Sequence, residues 1–160
     1  MGDLLVDQLR LMASAYPDEV AYRNLGDQSS ITFARWEEDS NRLAGGLLAR
    51  GVAKGDRVAI YLESARILHW IVAYAAVHKL GAVSVPTNNR LSPSEVRVIF
   101  EHAGVRAVLT DSAHAAAVIP LVGSIPELEL VVTVDPPAKC RPDHVCPDLK
   151  AASTWILSQR

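Results

Sequence analysis

Arg57-Val58-Ala59-Ile60-Tyr61-Leu62 is a continuous apolar strand, and Ala82-Val83-Ser84-Val85-Pro86 reads as a second strand. Between them, residues 64–80 carry a helical pattern that starts at Ser64 as N-cap and stops at Gly81. Strand, helix and strand in that order form a βαβ unit, and the unit continues. Ser92-Pro93-Ser94-Glu95 combines Ser at the N-cap, Pro at N1 and Glu at N3, a complete helix start. That helix presents Val96, Ile99 and Phe100 and ends at Gly104. Arg106–Thr110 reads as a third strand, 112–122 as a helix and Glu129–Val134 as a fourth strand. The strands are apolar on both faces, as expected where helices cover both sides of a parallel sheet.

Upstream, the pattern is different. Residues 3–15 read as a helix with Asp3 as N-cap and Leu5, Leu9 and Met12 on one face, stopped by Pro17. Val20–Asn24 and Ser30–Phe33 flank Leu25-Gly26-Asp27-Gln28 as a hairpin. Thr32 caps a helix over 33–50 with an apolar stripe of Trp36, Leu43, Leu47 and Leu48, and Gly51 stops it. Gly45-Gly46 inside that helix costs about 1 kcal/mol per glycine relative to Ala, which close packing on another backbone would offset. The expected architecture is α/β: a helix and β-hairpin followed by a doubly wound, mostly parallel sheet. The expected parts are 1–56 (helix, hairpin, long helix), 57–135 (βαβ sheet) and 136–160 (linker and tail). The linker holds four prolines over 135–148, and the tail presents Leu149, Trp155 and Ile156.

Length and charge bound the function. The 160 residues suit one domain, and 49% apolar content excludes wholesale disorder. Sixteen basic and eighteen acidic residues give a formal net charge of −2. They are spread evenly: 9 basic and 10 acidic in residues 1–80, 7 and 8 in residues 81–160. A nucleic-acid partner is therefore not expected. The longest uncharged run in the apolar middle, Ile67–Val77, is shorter than the about 20 residues that span a bilayer. No basic stretch followed by an apolar run opens the chain, so a cytoplasmic location is expected. Cys140, His144 and Cys146 offer three ligands where a structural zinc site needs four, and no metal site is expected.

Chemical motifs are sparse. Neither G-x-x-x-x-G-K-[ST] nor G-x-G-x-x-G follows a strand, and G-x-S-x-G is absent. His69 and His78 fall on one helix but not on one face, and His78 with Lys79 suits the negative end of that helix. Glu37-Glu38-Asp39 sits near a helix start, a structural preference. Ligands of open parallel sheets gather at the strands' carboxyl ends. That rule selects Glu63, Asp111, Asp135 and the loop Thr87-Asn88-Asn89-Arg90, with caps and turns as the competing role for the acids.

One ordered series of residues resembles a known family. It runs Ile31-Thr32-Phe33-x-x-Trp36, Ser40-Asn41-Arg42-Leu43-Ala44, Leu48-x-x-Gly51-Val52-x-x-Gly55-Asp56-Arg57-Val58-Ala59-Ile60. It continues in Lys79-Leu80-Gly81-Ala82-Val83-x-Val85-Pro86, Asn89-Arg90-Leu91-Ser92-Pro93-x-Glu95-Val96 and Gly104–Leu109. Together these resemble the N-terminal region of AMP-forming acyl-CoA synthetases, whose superfamily includes luciferases and the adenylation domains of peptide synthetases. The resemblance covers roughly residues 5–135. It implies the N-terminal subdomain of the adenylate-forming fold, incomplete in these 160 residues.

The resemblance also implies a chemistry: ATP, with Mg, activates a fatty, aryl or other hydrophobic carboxylic acid as an acyl-adenylate, and the acyl group passes to the thiol of CoA. The family's Ser/Thr/Gly-rich phosphate loop ending in Lys does not occur here. No catalytic residue is therefore assigned, and the chain by itself is expected to be inactive and to bind none of these cofactors tightly. Arg90 is the one residue carried over, as a contact to the CoA phosphates; a guanidinium at a strand's carboxyl end suits that role. A surface Arg90 paired with Glu95 is the competing reading. Two departures from the family stand out: Arg35 where a capping Glu is common, and Asn88-Asn89-Arg90 for the commoner Asn-Pro-Arg. The competing functional readings are a stand-alone interaction or dimerisation module derived from such a ligase, and an unrelated small-ligand domain. Exposed apolar surface, and a homo-oligomer formed through it, is a further expectation.

Overall fold

The computed structural model describes residues 4–134. Helix α1 (Leu5–Ala15) leads into the antiparallel hairpin β1 (Val20–Arg23) and β2 (Ser30–Thr32), then the long helix α2 (Phe33–Ala49). Next come β3 (Arg57–Tyr61), α3 (Ile67–Lys79), β4 (Val83–Pro86), α4 (Pro93–Ala103), β5 (Val105–Thr110), α5 (Ser112–Val118) and β6 (Leu130–Thr133). The four later strands form one parallel sheet in the order β4-β3-β5-β6. Helices cover both faces. Leu43 and Leu47 of α2, with Ile71 and Val77 of α3, meet Val58, Ile60 and Leu109 on one side. Val96 and Phe100 of α4, with Val118 of α5, meet Ala59, Tyr61 and Val108 on the other. The doubly wound α/β reading therefore holds, within one or two residues at each strand boundary.

Local signals account for most helix ends. Thr32 Oγ1 accepts from the Arg35 N–H at 3.2 Å, which caps α2. Arg35 cannot return the bond that a Glu would make; its Nε donates to Asp39 Oδ2 at 2.6 Å, one turn on. At α4 the box is complete, with Ser92 N–H donating to Glu95 Oε2 at 2.8 Å and Ser92 Oγ accepting from the Glu95 N–H at 3.4 Å. The Ser92 hydroxyl, followed by its N–H, holds the Glu95 carboxyl below its ordinary range. Gly51, Gly81 and Gly104 have positive φ where α2, α3 and α4 stop, as read. At Gly104 (φ 60°) an added Cβ would lie 2.8 Å from Arg57 Nη2. That guanidinium closes the end of α4 by donating to the carbonyls of Ala103 (3.0 Å) and Gly104 (2.5 Å).

Several expectations need correction. Helix α1 starts at Leu5 with Leu4 in the N-cap position and no side-chain cap; Asp3 lies outside the described residues. Only Leu9 of its stripe is buried, with Leu5 55% and Met12 37% exposed. On α2, Leu48 is exposed because it lies 100° round the helix from buried Leu47. Ser64 does not cap α3: Ser64–Arg66 form a 3₁₀ turn, and the Ser64 hydroxyl accepts from Asn89 Nδ2 instead (3.1 Å). Helix α5 ends at Val118, not 122, because Pro120 has no N–H to extend it and Ile119–Leu121 tighten into a 3₁₀ turn. Gly46 is buried beside Leu43, Ala44 and Leu47. Cys140, His144, Cys146, Asp135 and the tail after residue 135 lie outside the described residues. No helix among the described residues is long and apolar enough to cross a membrane.

The amino ends of the strands are fastened by charge. Asp56 Oδ2 accepts from the Ala53 N–H (2.8 Å) and Arg106 Nη1 (2.7 Å), while Arg106 also reaches the Gly51 carbonyl and Glu129. Burial opposes ionisation of Asp56, but the Ala53 N–H and Arg106 outweigh it, so its pKa is lowered. The sign follows: Asp56 stabilises the fold above the ordinary carboxylate value of about 4 and loses that contribution as pH falls through its depressed native value. Asp56→Asn is expected to flatten the acid limb of stability against pH below about 4. Urea midpoints measured across that range check this, and an unchanged acid limb would contradict it.

Candidate functional site

Strands β3 and β5 are neighbours whose chain exits diverge. After β3 the chain turns to α3 on one face; after β5 it turns to α5 on the other. Such a topological switch point opens a crevice outside the strands' carboxyl ends, where ligands of open α/β sheets bind. Here the crevice has a volume of about 380 Å³ and is lined by Glu63, Ser64, Ala65, Asn89, Arg90 and His114. An adjoining apolar hollow of about 320 Å³ runs over Leu62, Ile67 and Trp70 to the Thr87-Asn88-Asn89 loop.

Asp111 closes the floor between the two strands. Its side chain is almost fully buried. Oδ2 accepts from the Glu63 N–H just after β3 (2.6 Å), and Oδ1 accepts from the His114 N–H (3.1 Å) as the N-cap of α5. Asp111 thus does structural work, as its competing role had it. Burial, followed by the Asp111 charge, raises the Tyr61 hydroxyl's pKa. The Tyr61 ring lies 4.3 Å from the His114 ring.

The Thr87–Arg90 loop is pinned along most of its length. The Thr87 N–H donates to the Ile60 carbonyl at 3.0 Å and its hydroxyl to the Val85 carbonyl at 3.1 Å. Asn88 Oδ1 accepts from the Arg90 N–H at 3.0 Å, an Asx turn. Asn89 spans the crevice mouth to Ser64. The Arg90 guanidinium forms no hydrogen bond or ion pair with the described residues. Its suggested partner Glu95 is occupied by Ser92. Arg90 is exposed and lines the crevice.

A sequence profile of the AMP-binding enzyme family matches residues 9–153. The chain belongs to the AMP-binding enzyme family. Among curated relatives, the long-chain-fatty-acid–CoA ligase FadD13 of Mycobacterium tuberculosis is 34% identical over 110 residues, covering 69% of this chain and 22% of that protein. A naringenin synthase of Pestalotiopsis fici is 39% identical over 101 residues, covering 63% of this chain and 4% of the larger protein. Among solved structures, the inhibitor-bound N-terminal domain of FACL13 from Mycobacterium tuberculosis superimposes with a TM-score of 0.72 at 29% identity. That match covers 81% of this chain and 33% of the domain. The chain therefore spans about a fifth or less of these curated relatives, and its fold is that of the N-terminal subdomain of adenylate-forming enzymes.

In this AMP-binding family member, the donors at the crevice suit an anion. Arg90 supplies a guanidinium, with the Ser64 hydroxyl and the Asn89 amide on the same lining. Glu63 is the one carboxylate among them. Among the described residues no group of three or more His, Cys, Asp or Glu gathers to hold a metal ion.

Sequence reasoning considered His69, His78 and His144 and gave His114 no role. Its Nδ1 lies 2.7 Å from Asp111 Oδ1 and its Nε2 lies 3.2 Å from the Asn89 carbonyl. The signal was present in Asp111-Ser-Ala-His114: an N-cap acid and a residue three on have the spacing of a capping box, and here the two side chains meet each other directly.

Proposed function

We propose that this chain forms the N-terminal part of an ATP-dependent, AMP-forming acyl-CoA ligase, and that it does not form an adenylate by itself. The observation that carries the reading is the family match over residues 9–153, with fatty-acid–CoA ligases among the relatives. In that reaction a carboxylic acid attacks ATP to give an acyl-adenylate and pyrophosphate, and the CoA thiol then displaces AMP. A hydrophobic acid, fatty or aryl, is the substrate class we assign, and Mg would be held outside the described residues. A cytoplasmic setting belongs to the same reading. A homo-oligomer formed through exposed apolar side chains, such as Leu11 (68% exposed) on α1 or Val98 (63% exposed) on α4, belongs to the same proposal.

Arg90 is assigned to the CoA phosphates. A guanidinium–phosphate pair on an exposed loop is screened by water and salt. Binding of CoA to this chain alone is accordingly expected in the millimolar range, about −4 kcal/mol. Titration with CoA, followed by NMR, should shift the Arg90 and Asn89 amides and saturate only weakly. Arg90→Ala should abolish those shifts while leaving the sheet amides in place. Shifts that persist unchanged in the variant would remove Arg90 from the site.

A further inference from the structure

We propose that His114 is a positioning residue for the crevice: by bridging Asp111 and the Asn89 carbonyl, its imidazolium latches the Asn88-Asn89-Arg90 loop over the end of β5, and deprotonation releases it. The inference rests on reading the crevice as a phosphate site, since the latch fixes the loop that carries Arg90.

Both ring nitrogens face acceptors. Nδ1 meets the Asp111 carboxylate at 2.7 Å, and Nε2 meets the Asn89 carbonyl at 3.2 Å, twenty-five residues away in sequence. A peptide carbonyl never donates, and the ionised Asp111 accepts only. The ring joins both partners only when each nitrogen carries a proton. A neutral ring with its proton on Nδ1 turns a lone pair on Nε2 toward the lone pairs of the Asn89 oxygen, and the loop loses that tie.

The neighbours have defined roles. On α5 itself Asp111 supplies the opposite charge. From β3, Tyr61 packs its ring on the imidazole. Glu63, after β3, lines the same crevice with its carboxylate, and Arg90, after β4, lines it with the one guanidinium. Asp111 is also tied to the Glu63 N–H, so the anchor of the latch is held by β3 as well as by α5. The loop's other cross-crevice tie, Asn89 Nδ2 to Ser64 Oγ, is exposed and carries no charge. The bond through His114 is charge-assisted and half-buried, and is therefore the stronger of the two.

The test is ¹⁵N NMR of the whole chain across the titration of His114. Below it, both His114 ring nitrogens should show bound protons, and Asn89 and Arg90 should have order parameters of about 0.85, those of rigid backbone. Above it, the two amides should fall toward about 0.6 with the midpoint of the ring. His114→Phe keeps a ring against Tyr61 but removes both bonds; in it the loop should be mobile at every pH, with Val108 and Leu109 unchanged. A loop that stays rigid and indifferent to pH in the variant overturns the latch. So does a wild-type loop that does not follow the His114 ring, a result that stands even if the variant fails to fold. Adding CoA to the wild-type chain separates the two ideas. Silence at Arg90 with a pH-gated loop removes the phosphate reading and leaves the latch; shifts at Arg90 with an ungated loop do the reverse.

Discussion

Asp111→Ala should lower the free energy of unfolding by about 3–5 kcal/mol, the combined cost of a lost N-cap and buried donors left without an acceptor. The wild-type side chain is only 2% exposed, and its carboxylate receives the Glu63 N–H and the His114 N–H and lies 2.7 Å from His114 Nδ1. Alanine leaves all three without that acceptor. Domains are stable by only about 5–15 kcal/mol, so the loss is a large fraction of the total. Asp111→Asn keeps an acceptor oxygen but turns an NH₂ toward one of those donors, and should cost less than alanine. Urea unfolding followed by circular dichroism gives both values. A loss below about 1 kcal/mol for alanine would show that water satisfies the orphaned donors.

Lys79→Ala is expected to cost about 3 kcal/mol by leaving the half-buried Glu37 carboxylate without its charge partner, with only the Asn41 amide still donating to it. Lys79 lies at the end of α3 with its side chain 7% exposed, and Nζ reaches Glu37 Oε2 at 2.6 Å, Asn41 Oδ1 at 2.8 Å and the Glu37 carbonyl at 3.2 Å, all on α2. Burial lowers the Lys79 pKa against the upward pull of Glu37, so the ion pair forms at a cost in hydration. Removing one partner keeps the other's desolvation cost and cancels the compensation. Replacing both, as Lys79→Met with Glu37→Leu, should recover most of the loss, because an apolar pair of similar volume often serves a buried site equally well. A double-mutant cycle measures the coupling. Additive losses would mean that the pair does not join the two helices.

How far the residues alone led depended on range. Apolar runs from Arg57 and Arg106, the box at Ser92–Glu95 and the glycine stops are short-range signals, and the strands and helices follow them to within a residue or two. The same local logic failed where a distant partner intervened. Ser64 has the composition of a cap, yet its hydroxyl is taken by Asn89, twenty-five residues on. Lys79 suits a helix end by composition, yet its ammonium crosses to Glu37 and Asn41 on α2. His114 looks ordinary in sequence because its partners are an acid three residues away and a carbonyl from another loop. The place of the Thr87–Arg90 loop at the crevice was legible because the rule that selects it concerns strand ends, which periodicity locates; the CoA role of Arg90 came from the family resemblance. The strand order that puts β5 beside β3, and so creates the crevice, is a tertiary fact with no local signature.

The division of labour proposed here is tested most directly by ATP–pyrophosphate exchange on the purified 160-residue chain. The chain, shown to be folded by circular dichroism, is incubated with Mg-ATP, labelled pyrophosphate and a panel of fatty and aryl acids. The expected result is no acid-dependent incorporation of label into ATP above the no-acid blank. Robust exchange stimulated by any one acid would contradict it, because these residues would then form an acyl-adenylate unaided.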